Sequence, residues 1–247
     1  MTVFQFETSA DTDPNIGLIV LQADQRIEQD FRRLFHDDIR LLVTRVPSGL
    51  AVTPDTLQEM QDHIPRAAAL LPQDQDFDAV GYGCTSGAAQ IGQQKVADLV
   101  RQGIATAAVS DPLSALVMAC GELGIHRLAV LSPYIEDVSA KLRDALAGNG
   151  IETPVFGTFC ESQEAKVARI SADSIKRGAI QLAYQGDVQA IFLSCTNLNT
   201  LDVIPEIEAE TGVPVLSSNL VLAWHLLRLS GVHKTLRGDN RLLTKSV

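Results

Sequence analysis

Apolar residues follow two patterns along the chain: short continuous runs, and longer segments in which they recur every three or four positions. The runs are too short for helices and are bounded by Pro, Asn or Gly, which is typical of buried strands. The predicted strands are residues 16–20, 41–46, 78–83, 105–109, 127–131, 155–159, 188–194 and 213–216.

The longer segments carry helical stripes that start at hydrogen-bond acceptors. Asp24 is a good N-cap for the first stripe, which includes Ile27 and Phe31. Strands that alternate with helices predict an α/β fold with parallel sheets. The predicted helices begin at Asp24, run from Thr53 to Leu71 and from Cys84 to Gly103, begin at Asp111, run from Ser132 to Leu146, and cover 165–184, 204–210 and 220–229.

One short phrase occurs twice. An apolar run ends in Cys84-Thr85, and a second run ends in Cys195-Thr196, 195 − 84 = 111 positions later. Segments 15–20 and 126–131 match at the same offset, which indicates a duplicated unit. We therefore predict two lobes related by an approximate twofold axis, each a parallel sheet flanked by helices. The predicted lobes are 1–112 plus 216–247, with Cys84, and 113–215, with Cys195.

Composition and charge narrow the class of protein. The 247 residues are 46% hydrophobic and 20% charged, which is ordinary for a packed domain, and the net charge of −10 argues against a nucleic-acid partner. No run approaches the roughly 20 apolar residues of a membrane span, and the first residues lack a secretory pattern, so we expect no membrane contact and a cytoplasmic location. A homo-oligomer, a dimer or larger, is also expected. Helix 113–123 is a candidate interface, although core packing explains its apolar residues equally well.

The four cysteines do not form a metal-ligand pattern. No C-x-x-C pair or Cys/His cluster has the spacing of a zinc site. Cys120 lies on an apolar helical face, and Cys160 follows an apolar strand, so a packing role is predicted for both.

Cys84 and Cys195 are the candidate catalytic residues. Both are predicted at the carboxyl ends of strands, where open parallel sheets bind ligands, and just before helices, whose free N–H groups favour a thiolate. A single cysteine in this position is more often buried and inert, but a matched pair favours function. Two thiols facing one cleft can remove a proton from one face of a carbon and return one to the other. The predicted carboxylate cradle consists of Thr85, Ser86, Thr196 and Asn197.

Tyr134 is a candidate donor near the same cleft. It follows Ser132-Pro133 at the end of a predicted strand and could stabilise a developing negative charge. A surface position explains it as well.

These motifs resemble those of a known family. The chain is similar over nearly its full length to the aspartate/glutamate racemase superfamily, in the branch of maleate cis–trans isomerases and arylmalonate decarboxylases, whose lobes are flavodoxin-like. Residues 19–24 and 47–49 resemble the ectoine-utilisation subgroup. The motifs are Ile16-Gly17-Leu18-Ile19-Val20, Gly83-Cys84-Thr85-Ser86-Gly87, Leu131-Ser132-Pro133-Tyr134, Ser194-Cys195-Thr196-Asn197 and Pro214-Val215-Leu216-Ser217-Ser218-Asn219.

The resemblance implies chemistry without cofactor or metal at a carbon next to a carboxylate of a small substrate. Racemases of this type use two cysteines as acid and base. The isomerases use the first, here Cys84, as nucleophile and the second, here Cys195, as proton donor; the decarboxylases keep only the second. Both thiols are present, which favours a racemase or isomerase. A decarboxylase is the alternative, and a non-catalytic ligand-binding protein is the alternative from another class.

Asp24 departs from the family pattern. Maleate isomerases have asparagine where this chain has Asp24. An anionic side chain would repel a substrate carboxylate and attract an ammonium or amide N–H, which favours an amino acid or an ectoine-derived N-acyl diamino acid over maleate. Helix capping alone also explains Asp24.

Overall fold

The fold is that of a computed structural model, which describes residues 1–8, 13–232 and 235–245. Its strands confirm the predicted order, with boundaries shifted by a few residues. They are β1 (Asn15–Leu21), β2 (Arg40–Val46), β3 (Phe77–Gly83), β4 (Thr106–Ser110), β5 (Arg127–Ser132), β6 (Glu152–Thr158), β7 (Ala190–Leu193) and β8 (Val215–Ser217).

The strands form two parallel four-stranded sheets. Their orders are β2-β1-β3-β4 and β6-β5-β7-β8, which are the same order written twice. This confirms the α/β fold with two similar lobes. In each sheet the connections from two neighbouring strands lead in opposite directions along the sheet. These neighbours are β1 and β3 in the first sheet and β5 and β7 in the second, and a crevice forms at their carboxyl ends.

Helices cover the sheets. Those in the first half of the chain are α1 (Ile27–Leu34), α2 (Pro54–Glu59), α3 (Ile64–Ala68), α4 (Thr85–Ile91) and α5 (Gln93–Gly103). Those that follow are α6 (Pro112–Leu123), α7 (Glu136–Gly148), α8 (Glu164–Val167), α9 (Ala172–Ala183), α10 (Ile204–Thr211), α11 (Ser218–Leu229) and α12 (Arg241–Lys245). The sequence did not predict α12.

Three predicted helices are broken in the structure. The predicted helix from Thr53 divides into α2, a 3-10 turn and α3, and Pro65 lies at the start of the last piece, where a missing N–H costs least. Gly92 separates α4 from α5 with φ of 96°, a conformation that glycine adopts without strain. Ser171 caps α9 and so separates it from α8, because its side chain accepts a hydrogen bond from Ser174 N.

Helix α11 lies at the centre of the molecule. It packs against β3, α1 and α6, and most of its side chains are buried, which explains why it is apolar on nearly all sides. The predicted lobe boundaries stay a prediction. No helix within the described ranges is long and apolar enough to cross a bilayer.

Candidate active site

The candidate site lies where the two crevices meet. Asp24 and Cys84 follow β1 and β3, and Tyr134 and Cys195 follow β5 and β7. The two cysteines line one narrow pocket, which begins at the reversal point of each sheet. The pocket is lined by Leu21, Asp24, Val52, Leu57, Cys84, Thr85, Ser86, Tyr134, Glu164, Cys195 and Thr196.

Cys84 is the N-cap of α4, as the sequence predicted. Its backbone is extended, with φ of −150°, and its Sγ accepts a hydrogen bond from Gly87 N at 3.2 Å. A Cβ on residue 87 would lie 2.9 Å from this sulfur, so a glycine is required for the helix to approach the thiol so closely. The position of Cys84 is therefore set by its own turn.

Cys195 is held differently, because no helix begins directly after it; the prediction that both cysteines lie just before helices is wrong for Cys195, although the helix predicted at 204–210 is confirmed. The chain turns at Thr196, and α10 begins only at Ile204. Cys195 has a φ of 149°, which is rare for a residue with a Cβ and costs about 1–3 kcal/mol unless surrounding contacts impose it. Its N–H donates to Ser218 Oγ at 3.0 Å, and this oxygen also accepts from Thr85 Oγ1 at 2.8 Å. Ser218 therefore connects the two cysteine turns.

Glu164 is the main site residue that the sequence did not reveal. Its carboxylate is 3% exposed and accepts hydrogen bonds from Tyr134 Oη at 2.6 Å and Asn197 Nδ2 at 2.5 Å. Tyr134 Oη is also 3.0 Å from Cys195 Sγ, and Asn197 N donates to that sulfur at 3.3 Å. A closed ring of hydrogen bonds therefore surrounds Cys195. An acid at the start of a short helix is common on protein surfaces, so the sequence contained no signal for this role.

Loops of the first lobe hold Glu164 in place. Its N–H donates to Leu50 O at 3.1 Å, and Val52 N donates to Ser162 O at 2.9 Å. Ala51 and Gln163 form an antiparallel bridge between these two bonds. The segment that contains Val52 thus forms one wall of the pocket and fixes the acid beside it.

Asp24 is both a cap and a pocket residue. Its Oδ1 accepts from Arg26 N and Ile27 N, and its Oδ2 accepts from Thr196 Oγ1 at 2.8 Å. The capping interpretation and the cleft interpretation are therefore compatible. Beside it, Asn197 Oδ1 accepts from Gln25 N, so the second cysteine turn is tied to the first lobe.

The turn before α7 differs from the prediction. Ser132 does not cap that helix; α7 begins at Glu136 after an N-cap at Ile135. Instead Ser132 Oγ accepts from Tyr134 N at 3.2 Å and from Ser139 Oγ at 3.0 Å. The serine therefore shapes the turn that brings the tyrosine ring into the pocket.

Burial favours the protonated thiol at both cysteines, contrary to the prediction that the start of a helix favours a thiolate. Burial raises the pKa of Cys84 to about 12, and the hydrogen bond from Gly87 only partly offsets it. Burial also raises the pKa of Cys195 well above the usual range, and the nearby charge of Glu164 adds to the effect. Burial is likewise the largest cause of the raised pKa values of Glu164 and Asp24. Desolvation outweighs the helix terminus.

The remaining cysteines lie away from the pocket. Cys120 is buried on α6, as predicted, but Cys160 is exposed, so its predicted packing role is wrong. Cys160 has a φ of 56°, a left-handed conformation that is uncommon for a residue with a Cβ. Over the described part of the chain, no group of three His, Cys, Asp or Glu side chains could hold a metal ion.

Known proteins are similar to this chain in sequence. The family model for arylmalonate decarboxylase matches residues 16–243. The chain belongs to the arylmalonate decarboxylase family. It is 32% identical to the arylmalonate decarboxylase of Bordetella bronchiseptica, over 94% of this chain and 98% of that one. It is 24% identical to a maleate isomerase of Nocardia farcinica, over 92% and 94%.

Solved structures agree with this assignment. The maleate isomerase Iso of Pseudomonas putida S16, as a cysteine-to-alanine variant with maleate, superposes with a TM-score of 0.85 at 21% identity over 95% of this chain and 99% of that one. An arylmalonate decarboxylase superposes with a TM-score of 0.75 at 26% identity over 94% and 100%. These decarboxylases and isomerases belong to the aspartate/glutamate racemase superfamily, and the chain is an enzyme of this kind.

Proposed function

We propose that the chain is a cofactor-independent racemase or isomerase that acts at a carbon next to the carboxylate of a small amino or dicarboxylic acid. The observation that carries this proposal is the pair of thiols, Cys84 and Cys195, that line one pocket from two duplicated lobes. A single cysteine suffices to protonate a carbanion, whereas exchange on two faces needs two groups.

The carboxylate of the substrate binds at the start of α4. The first N–H groups of a helix have no partner inside it, and the N–H groups of Thr85 and Ser86 are in this position. Ser86 is buried beside the pocket, and its hydroxyl makes no hydrogen bond to any described residue. These donors stabilise the charge that develops on the carboxylate when the neighbouring carbon loses a proton.

The proton moves between two sulfurs. Cys84, whose raised pKa favours the protonated thiol, first loses its proton to solvent. The thiolate then takes the proton from the carbon, so the C–H bond breaks, an S–H bond forms, and the electron pair is delocalised into the carboxylate. Cys195 then gives its thiol proton to the other face. The N–H of Asn197, which donates to Cys195 Sγ at 3.3 Å, stabilises the sulfur that has lost its proton. With the roles of the two cysteines exchanged, the same steps convert the other enantiomer.

Solvent exchange tests this proposal. Incubation of small 2-amino acids and dicarboxylates with the enzyme in deuterium oxide should give deuterium at the carbon next to the carboxylate. Cys84→Ala and Cys195→Ala should each reduce the rate about 10²–10⁴-fold. Full exchange by either variant would refute the two-thiol role. Cys160→Ala, which removes the exposed thiol, is the matched control and should keep full activity.

A malonate-type decarboxylase is the second candidate. The sequence similarity to arylmalonate decarboxylases favours it, as does the raised pKa of Cys195, because a proton donor needs its proton. In that reaction the C–C bond to one carboxylate breaks, carbon dioxide leaves, and Cys195 protonates the carbanion. Carbon dioxide release that survives Cys84→Ala but not Cys195→Ala would identify this activity.

The cellular context follows from the subgroup resemblance. We propose a role in ectoine catabolism, supported by the sequence at 19–24 and 47–49, and a cytoplasmic homo-oligomer. Turnover of an N-acyl diamino acid and sedimentation of the purified protein would test the catabolic role and the oligomer.

A further inference from the structure

The pocket has two chemically different walls. The wall at the start of α4 offers hydrogen-bond donors, the N–H groups of Thr85 and Ser86 and the Ser86 hydroxyl. The lining also includes two carboxylates, Asp24 and Glu164, which are here called the acidic wall. Among the described residues that line the pocket, none is basic.

The second-lobe donors are already occupied. Tyr134 Oη and Asn197 Nδ2 both donate to Glu164, and Thr196 Oγ1 donates to Asp24. These three side chains were predicted to bind a substrate carboxylate. Because their hydrogens point to the protein's own acids, a carboxylate placed against this wall would meet acceptors instead of donors.

The hydrogen bonds favour the ionised form of both carboxylates and oppose the burial that raises their pKa values. Each oxygen of Glu164 receives a hydrogen bond from a donor, and so does each oxygen of Asp24. The basic residue whose charge acts on Asp24 is Arg45. Its guanidinium donates to the backbone oxygens of Leu21, Gln22 and Asp24 and pairs with the carboxylate of Glu28. The pocket therefore contains negative charge with no cation from its own described walls.

We propose that Glu164, together with Asp24, makes the pocket selective for amino acids, whose ammonium group binds this acidic wall, over dicarboxylates of the same size. The inference rests on the proposed function, because it assumes that the substrate carboxylate binds the donor wall at Ser86. An ammonium group has three N–H donors, and the carboxylate oxygens of Glu164 keep lone pairs to accept them. A second substrate carboxylate would instead face two anions in a poorly solvated space.

The closed form of the site makes this selection strict. The cavity has a volume of about 10 Å³, room for about one water molecule, so the walls must move apart to admit a substrate. A ligand without a cation would leave both acids desolvated and unpaired. A ligand with a cation neutralises part of that charge.

Ligand binding tests the selectivity without turnover. Succinate and aspartate differ by one ammonium group, as do butyrate and 2-aminobutyrate. Thermal stabilisation of the wild-type enzyme by millimolar ligand should be measurable for the amino member of at least one pair, and the affinity for its partner should be at least tenfold weaker. Glu164→Gln should remove most of this preference. The glutamine keeps the shape of the side chain, since its oxygen can accept from Asn197 and its amide can donate to Tyr134.

The matched control is Glu161→Gln. Glu161 lies three residues earlier on the same segment, carries the same charge and is outside the pocket lining. It should keep the full preference. Equal affinity for both members of each pair, no stabilisation by any amino acid, or an unchanged preference in Glu164→Gln would overturn the proposal.

Charged thiol reagents provide a second measurement that needs no substrate. The cation 2-aminoethyl methanethiosulfonate and the anion 2-sulfonatoethyl methanethiosulfonate react with cysteines at rates that depend on the local potential. The ratio of the cation rate to the anion rate should be at least tenfold higher at Cys195 than at the exposed Cys160 of the same molecule. In Glu164→Gln this difference should shrink; a ratio that does not change would contradict the acidic wall.

The two proposals can fail separately. A preference for amino acids without deuterium exchange would leave the acidic wall intact and refute the proposed reaction. Deuterium exchange on dicarboxylates as fast as on amino acids would support the proposed reaction and refute the selectivity of the acidic wall.

Discussion

The two cysteine turns come from one duplicated unit but are built by different means. Cys84 is positioned locally, by the helix that it caps and by Gly87 in the same turn. Cys195 has no helix directly after it, and its φ of 149° is maintained by groups from distant parts of the chain. The two thiols thus occupy equivalent positions in sheets of the same strand order but have different supports.

Buried acids mark the difference most clearly. Asp24 binds Thr196, and Glu164 binds Asn197, the two residues after Cys195. A third buried acid, Asp30, accepts from Asn219 Nδ2, which also donates to the backbone oxygen of Thr196. Among the described contacts, none of the three accepts a hydrogen bond from the turn that follows Cys84. The buried acids thus accept hydrogen bonds from the turn of the second thiol and not from that of the first. Burial, and then the charges of Glu164 and Asp24, raise the pKa of both thiols.

The largest predicted effect concerns Asp30. Burial raises its pKa to about 6 from the usual 3.8, and the bond from Asn219 offsets this only in part. Because the folded chain binds this proton more tightly than the unfolded chain, stability falls as pH rises from about 4 to about 6. The loss is about 3 kcal/mol. Asp30→Asn should therefore gain about that much relative to wild type between pH 4 and pH 7, measured by urea unfolding.

The control for this experiment is Asp98→Asn on α5, an exposed acid that accepts a hydrogen bond from Gln94. Its difference from wild type should stay within about 0.5 kcal/mol over the same range. A flat difference for Asp30→Asn as well would mean that Asp30 titrates alike in the folded and unfolded chains.

The next effect concerns the link between the turns. Ser218→Ala removes the acceptor of the Cys195 N–H and leaves that group buried without a partner, which should cost about 2 kcal/mol of stability. A shift of the thiol should also slow exchange about 10²-fold. Ser217→Ala is the matched control: the Ser217 side chain caps α11, so we expect a loss of about 1 kcal/mol and unchanged kinetics. Equal kinetics in the two variants would contradict the role of Ser218.

Most of the fold could be predicted because it depends on local patterns. A single sequence shows short apolar runs, N-caps such as Asp111 and a repeat at a fixed offset. These patterns were enough to predict the eight strands found among the described residues. The breaks within helices were missed where a single Gly92 or Ser171 overrides a long apolar stripe. At these points one residue ends the helix, although the apolar spacing of its many neighbours favours a continuous helix.

The candidate site was predictable to a different degree in each lobe. Cys84 and its helix follow from adjacent residues, so the local prediction was sufficient. The support of Cys195 comes from Glu164 and Ser218, which are 195 − 164 = 31 and 218 − 195 = 23 positions away, and from Asp24 in the other lobe. No periodicity connects these residues; only the folded chain brings them together.

The smallest predicted effect is the sharpest test of the contrast in backbone conformation. At Cys195, with φ of 149°, glycine should relieve strain that alanine retains; at Cys84, with φ of −150°, there is no such strain. The loss of the Cβ and the extra freedom of glycine in the unfolded chain are common to both sites, and glycine is also the better N-cap at Cys84. The quantity to compare is the free energy of unfolding of the glycine variant minus that of the alanine variant at each site, measured by urea unfolding at one pH. With the shared effects and the capping effect taken into account, this difference should be larger at Cys195 than at Cys84 by about 1 kcal/mol. Equal differences at the two sites would mean that the contacts of Ser218 and the acids do not impose a strained backbone on Cys195. The backbone conformations at the two cysteines would then be equally unstrained, although their surroundings differ.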